Sequence, residues 1–182
     1  MRLNSQKLKQ AAQSAGVGVE ELAAAVERTG LSGQKAEKAV RNWMAGRDHP
    51  RCKAADLARM AGVLGVQVKD IARFVSEVRY HRGSTRKARL VADMIRGKRF
   101  DQAEQILRFS PKRASVNVQK CLAAAFAEAE EFEANDPARL VIAEVHVEEG
   151  PQIKRFRPKD RGRAHPILKQ TSHITIGLEE RA

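Results

Sequence analysis

Two stretches of apolar alternation, separated by a strongly basic segment, constrain this chain more than any other feature. Val141, Ala143, Val145 and Val147 recur at every second position before Gly150, and Leu168, Ile174, Ile176 and Leu178 stand in the same phase after it. A period of two puts successive side chains on opposite faces, so each stretch reads as a strand with one buried face. The residues between them cannot join that core. From Lys154 to Lys169 they hold seven cations (Lys154, Arg155, Arg157, Lys159, Arg161, Arg163, Lys169) against one acid, Asp160, with a lone aromatic, Phe156. Two strands joined by a basic tip make a β-hairpin over about 141–178. If Val145 to Pro158 is extended at ~3.3 Å per residue, one arm spans roughly 45 Å, more than the width of a compact domain of this length. The basic half must project beyond its own domain.

An isolated two-stranded ribbon is marginal in water, and clustered cations repel one another, so a polyanion has to supply the missing partner. Nucleic acid, with its closely spaced phosphates, fits. The β-branched Ile167, Thr171, Ile174, Thr175 and Ile176 favour a strand over a disordered basic tail, and Phe156, Pro158 and Gly162 interrupt what would otherwise be a uniform run. The net charge of +12 agrees with an anionic partner. That charge is unevenly placed. Arg79 to Arg99 holds eight basic residues and only Asp93, whereas Glu128 to Glu149 holds eight acidic residues and only Arg139.

The same residues carry a family resemblance. Lys154-Arg155-Phe156-Arg157-Pro158, Arg161-Gly162-Arg163-Ala164, and Lys169 with Thr171-Ser172-His173-Ile174-Thr175-Ile176 resemble the signature of large-subunit ribosomal protein twenty-two. A second segment, Thr85-Arg86-Lys87-Ala88-Arg89-Leu90-Val91-Ala92 to Ile95-Arg96-Gly97-Lys98, resembles the opening of that family, in the right order. The resemblance covers residues 79 to about 180 and departs from the family at Lys159-Asp160 and His165-Pro166-Ile167. It implies a structural constituent of the large ribosomal subunit, cytoplasmic, that binds 23S-type rRNA beside neighbouring ribosomal proteins and supports assembly. It also implies that the hairpin tip lines the exit tunnel and meets the nascent peptide. The implied rRNA contacts are Lys154, Arg155, Phe156, Arg157, Lys159, Arg161, Arg163, Lys169, Thr171, Ser172 and His173.

Ahead of the hairpin, Val78 and Tyr80 alternate with charged residues as a short strand over Ser76–His81. Ser84 offers an N-cap for a helix that Gly97 stops, with Ala88, Val91, Ala92 and Ile95 as its core stripe. Arg82, Arg86, Arg89 and Arg96, with Lys87 beside them, read as a phosphate-facing ridge. Asp101 and Glu104 suggest a capping box for a short helix, and Ser110-Pro111 opens a long one, with Lys112 and Arg113 at its start, that runs toward Asn135. Three helices on a small antiparallel sheet give an α+β domain over 76–182.

Residues 1–75 read differently. Five apolar stripes at helical spacing, broken by Gly16, Gly30, Gly46 and Gly65, predict a small all-α bundle whose fifth helix holds Ile71, Ala72 and Val75. Their order, with Glu21-Leu22-Ala23, Trp43 and Leu57 to Val66, resembles a lambda-repressor-like helix-turn-helix domain, although Leu22 and Trp43 are several residues further apart than that pattern has. If its third helix reads nucleic acid, Gln34, Lys35, Lys38, Arg41 and Asn42 are the contacts.

Catalysis finds no support in the residue pattern. The five histidines lack metal-ligand spacing, Ser172 and His173 point to opposite faces of a strand, and no phosphate-binding glycine loop is present. No metal, cofactor or small-molecule substrate is expected. Cys52 and Cys121 sit in apolar helical patterns and read as reduced core residues, and no apolar run is long enough for a membrane span. Two function classes remain, an rRNA-binding ribosomal constituent and a DNA-binding regulator with a helix-turn-helix head and a basic C-terminal arm. The specific signal lies in the hairpin and favours the first.

Overall fold

The computed structural model describes residues 1–181, which divide into two compact units, Met1–Phe74 with Glu131–Ala134, and Val75–Glu130 with the residues from Asn135 on. No helix among the described residues is long and apolar enough to cross a membrane.

In the first unit a two-residue strand, β1 (Arg2–Leu3), precedes five helices: α1 (Ser5–Ala15), α2 (Val19–Ala25), α3 (Gln34–Met44), α4 (Ala54–Leu64) and α5 (Val68–Ile71). Asn4 starts α1 because its side-chain oxygen accepts the amides of Gln6 and Lys7, and Gly16 ends it in the left-handed conformation that glycine adopts without strain. Leu8, Leu22, Trp43, Leu57, Met60 and Ile71 form the centre of the core. Each is almost fully removed from water, worth about 1.5–3 kcal/mol per large apolar side chain. The fifth helix is shorter than its stripe suggested. It stops at Ile71, and Ala72 already pairs with Leu3 as the first residue of β2 (Ala72–Arg82). The two-residue pairing with β1 gives Ala72 and Arg73 a strand partner, so the apolar pattern passes from helical to extended there.

Glu131–Ala134, far along the sequence, completes this unit. Phe132 stacks on Phe74 with ring centroids 6.1 Å apart, Lys69 Nζ donates to the Glu133 carbonyl at 3.3 Å, and Ala134 is buried.

The second unit is α+β. From Val75 on, β2 belongs to a sheet ordered β2-β6-β3, with β3 (Leu140–Glu149) and β6 (Thr171–Glu180) antiparallel. Three helices, α6 (Thr85–Ile95), α7 (Phe100–Arg108) and α8 (Arg113–Glu130), pack with it around Val91, Ile95, Leu107, Val118, Leu122, Leu140, Ile142, Ile174 and Ile176. Several boundaries differ from the sequence reading. β2 is longer than the Ser76–His81 strand, α8 starts at Arg113 instead of Ser110, and α7 starts at Phe100 with Arg99 as its N-cap. Asp101 therefore lies inside the first turn, where its carboxylate takes the Gln102 amide. Ser84 is the N-cap of α6 by backbone geometry, without a side-chain cap bond.

The alternation in β3 is also not what its sequence suggests. Val141, Ala143, Val145 and Val147 do not share a face, because the register with β6 shifts between Ile142 and Glu144. Leu140 and Ile142 are buried ahead of the bulge, Val145 and Val147 after it, and Ala143 is left exposed. One extra residue flips the phase of a two-residue period. The outer edge of β3 is covered at this point, since Gly97 donates to the Ile142 carbonyl and Ile142 to that of Lys98.

Candidate nucleic-acid interface

Beyond the β3/β6 ladder the chain forms a separate two-stranded ribbon of β4 (Ile153–Pro158) and β5 (Ala164–Lys169). Its six residue pairs run from Ile153–Lys169 to Pro158–Ala164, about 20 Å at strand spacing. Every residue from Lys154 to Gln170 is exposed. None of its seven cations forms an ion pair among the described residues. Strand alternation puts Arg155 and Arg157 on one face, beside Ile167 and His165 across the ribbon, and Lys154 and Phe156 on the other, where Phe156 opposes Pro166 and is 73% exposed. At the tip Lys159 donates to the Arg163 carbonyl at 2.7 Å and Arg163 to that of Asp160, while Arg161 and Gly162 both take positive φ. Arg161 thus holds a conformation that non-glycine residues rarely adopt.

The ribbon leaves the domain through an unequal root. Gly150, Pro151 and Gln152 oppose only Gln170 and Thr171 between the two ladders, a bulge that re-aims the strands. Gly150 donates to the Thr171 carbonyl at 2.9 Å, and the Thr171 hydroxyl donates to the Pro151 carbonyl at 2.7 Å. Thr171 and Ser172 are buried and do not face solvent; the Thr171 side chain braces this root, whereas the Ser172 hydroxyl has no hydrogen-bond partner among the described residues. His173 is half-buried; its Nδ1 accepts the Tyr80 amide at 3.2 Å, and its ring meets the Tyr80 ring edge-on at 4.9 Å.

Three cations remote in sequence gather beside the root. Arg82 from the end of β2, Arg113 from the start of α8 and Lys169 from β5 line an open cleft of about 410 Å3 together with Gly83, Ser84, Leu168 and Gln170. His81 stands nearby. Burial first, and then Arg113, lower its pKa, so it adds no charge to the cleft at neutral pH.

On α6, Arg86, Lys87 and Arg89 are exposed, and Arg89 is tied to the sheet by a bond from its Nε to the Val147 carbonyl at 3.2 Å. Arg96, the C-cap, pairs with Asp93 at 3.1 Å. Lys112 extends over Met94, with Nζ 3.5 Å from its sulfur. The four-arginine ridge is therefore divided among the end of β2, the body of α6 and its C-terminus. In the first unit, Gln34, Lys35, Lys38 and Arg41 are exposed on α3, Arg41 in a pair with Glu37, whereas Asn42 is half-buried and donates to the His49 carbonyl at 2.9 Å.

Reasoning from sequence missed several members of this surface. Tyr80 is 60% exposed, Leu168 is 52% exposed on the ribbon where its phase with Ile174 suggested a buried face, and Ser84 and Gln170 line the cleft. Tyr80 alternates like a core residue, yet its positive φ turns it outward.

A chain with a basic ribbon on a bulged root, a helix rich in outward arginines and an α+β core can be compared with known families. The family model described as ribosomal protein L22p/L17e matches residues 76–179, more than half of the chain and nearly all of the second unit. The chain belongs to the ribosomal protein L22p/L17e family, whose members are proteins of the large ribosomal subunit.

Proposed function

We propose that the second unit binds large-subunit rRNA through Arg82, Arg86, Lys87, Arg89, Arg96, Lys112 and Arg113 together with the ribbon, and that the ribbon tip borders the nascent-peptide exit tunnel and meets the emerging chain. The observation that carries this reading is the ribbon itself: seven exposed cations, unpaired by any acid of the described residues, on a strand pair with no core of its own. Such a ribbon gains its order from a partner. Arginines on one face pair bidentately with phosphates, and Phe156 on the other stacks on an unpaired base. The cleft of Arg82, Arg113 and Lys169 supplies a second concentration of positive charge where the ribbon leaves the domain. Thr171 and His173 serve by fixing the root, and Ser172 is buried beside them.

Sucrose-gradient fractionation tests the reading, with the chain expected to sediment with large subunits. Deleting Lys159–Arg163 should leave assembly intact, because the root, cleft and α6 remain, while altering sensitivity to tunnel-binding macrolides. Recovery only in soluble or nucleoid fractions would overturn the ribosomal role. Failure of the deleted form to assemble would make the tip an anchor and remove the tunnel assignment.

A further inference from the structure

We infer that the first unit carries a second, independent rRNA-backbone contact, the pre-organised loop Gly46–Lys53, which presents Arg47, His49, Arg51 and Lys53. This inference rests on family membership for the identity of the nucleic acid and not on the role proposed for the ribbon.

The loop joins α3 to α4 and is held from beneath by side chains, an unusual investment for a solvated connection. Asn42 donates to the His49 carbonyl at 2.9 Å, the Trp43 indole N–H donates to the Pro50 carbonyl, and the Arg47 amide donates to the Asn42 carbonyl at 2.8 Å. From the far side Arg28 reaches the Arg51 carbonyl at 3.4 Å. The acid of the segment, exposed Asp48, and the buried Asp56 just beyond it both hold backbone amides. The Asp48 carboxylate accepts the Cys52 amide at 2.9 Å, and buried Asp56 accepts the Lys53 amide at 3.0 Å and pairs with Arg28 at 3.3 Å. The four basic side chains are all exposed. Charge in this stretch is thus sorted, with carboxylates engaged in holding the loop and cations presented outward. Lys35 and Lys38 extend the positive surface, since spacing places them on the same side of α3 as Asn42.

This geometry favours phosphates over base edges. A base-reading helix needs free amide and guanidinium groups, but Asn42 is engaged by the loop and Arg41 by Glu37. The eight residues between α2 and α3, Val26 to Gly33, are also too many for the short turn of a helix-turn-helix reader. Apart from Gln34 at the start of α3, what this surface presents are point charges on a fixed backbone, which position a polynucleotide without reading its sequence.

The test compares the full chain with an R47Q/R51Q/K53Q variant for binding to purified large-subunit rRNA across a salt series. Removing three phosphate contacts should make the slope of log K against log salt shallower by about 2–3. Asn42→Ala, which frees the loop but keeps its charge, should weaken binding several-fold with the slope unchanged. Trp43 fluorescence verifies that each variant is folded. Repeating the comparison with the ribbon cations neutralised separates the two proposals, because the loop effect should persist in that background. An unchanged slope in the triple variant overturns the inference. So does an equal or larger loss on duplex DNA, or a loss seen on polyglutamate but not on rRNA, which would assign the loop to DNA or to an acidic protein.

Discussion

Replacing Gly150 by alanine should destabilise the second unit through a clash at the ribbon root. A Cβ on Gly150 would stand 2.5 Å from Thr171 Oγ1, 3.1 Å from His173 Nε2 and 3.3 Å from the Thr171 carbonyl carbon. The first contact is impossible as it stands. Relief requires the buried Thr171 side chain to rotate, breaking its bond to the Pro151 carbonyl, or the two strands to part where Gly150 donates to Thr171. Overpacking costs about 1–3 kcal/mol and a lost hydrogen bond about 1 kcal/mol, so the expected loss is roughly 2–4 kcal/mol. For a unit of this size that lowers the midpoint by about 8–16 °C. Thr171→Ala alone should cost about 1 kcal/mol, and in its background Gly150→Ala should cost less than about 1 kcal/mol more, because the hydroxyl it strikes is gone. Urea unfolding followed by far-UV circular dichroism measures all four proteins of this cycle, with hydrogen exchange of peptides from residues 140–180 locating the change. A Gly150→Ala protein within 0.5 kcal/mol of the parent, or strict additivity with Thr171→Ala, would refute close approach as the reason for glycine here.

Other expectations concern charge and the buried thiols. Burial first, then Asp56 and Asp48, push the Cys52 thiol up to about 12. Since an unfolded thiol ionises near pH 8.5–9, the folded state retains a proton that the unfolded state releases, and stability should be full below about pH 9 and fall toward pH 12 by up to about 1.4 kcal/mol per unit. Cys52→Ala should flatten that decline in unfolding followed by Trp43 fluorescence, and both cysteines should resist thiol reagents until the protein unfolds. Arg86→Gln should weaken rRNA binding without changing thermal stability, whereas Arg89→Gln should do both, losing about 1 kcal/mol with its bond to the Val147 carbonyl; equal stability of the two variants in a melting experiment would dismiss that structural role.

The parts of this fold legible from sequence are those governed by local period. Ile174, Ile176 and Leu178 alternate without interruption and are buried together, and the stripe on α6 faces the core as its spacing requires. The parts that were not legible depend on one residue of register or on distant partners. Ala143 carries no mark of a bulge, yet the bulge reverses the faces on either side of it. Thr171 and Ser172 read as polar contacts because their types suit hydrogen bonding to RNA, while their burial is set by the root geometry across from Gly150 and Pro151. Asn42 looks like a reading residue on an exposed helix until the His49 carbonyl is placed against it. The cleft could not be foreseen because Arg82, Arg113 and Lys169 meet only in three dimensions.

The return of Glu131–Ala134 to the first unit changes what it means to detach one unit from the other. The chain crosses between them three times, after Phe74, after Glu130 and after Ala134. A protease cutting once near Val75 would leave Phe132 still stacked on Phe74 and the nicked halves associated, as a split protein is, under native conditions. A gene fragment ending at residue 75 would encode every helix of the bundle but omit the aromatic that closes it. The connection after α8 thus gives the first unit one half-buried aromatic, Phe132, and one buried alanine, Ala134, alternating with exposed glutamates.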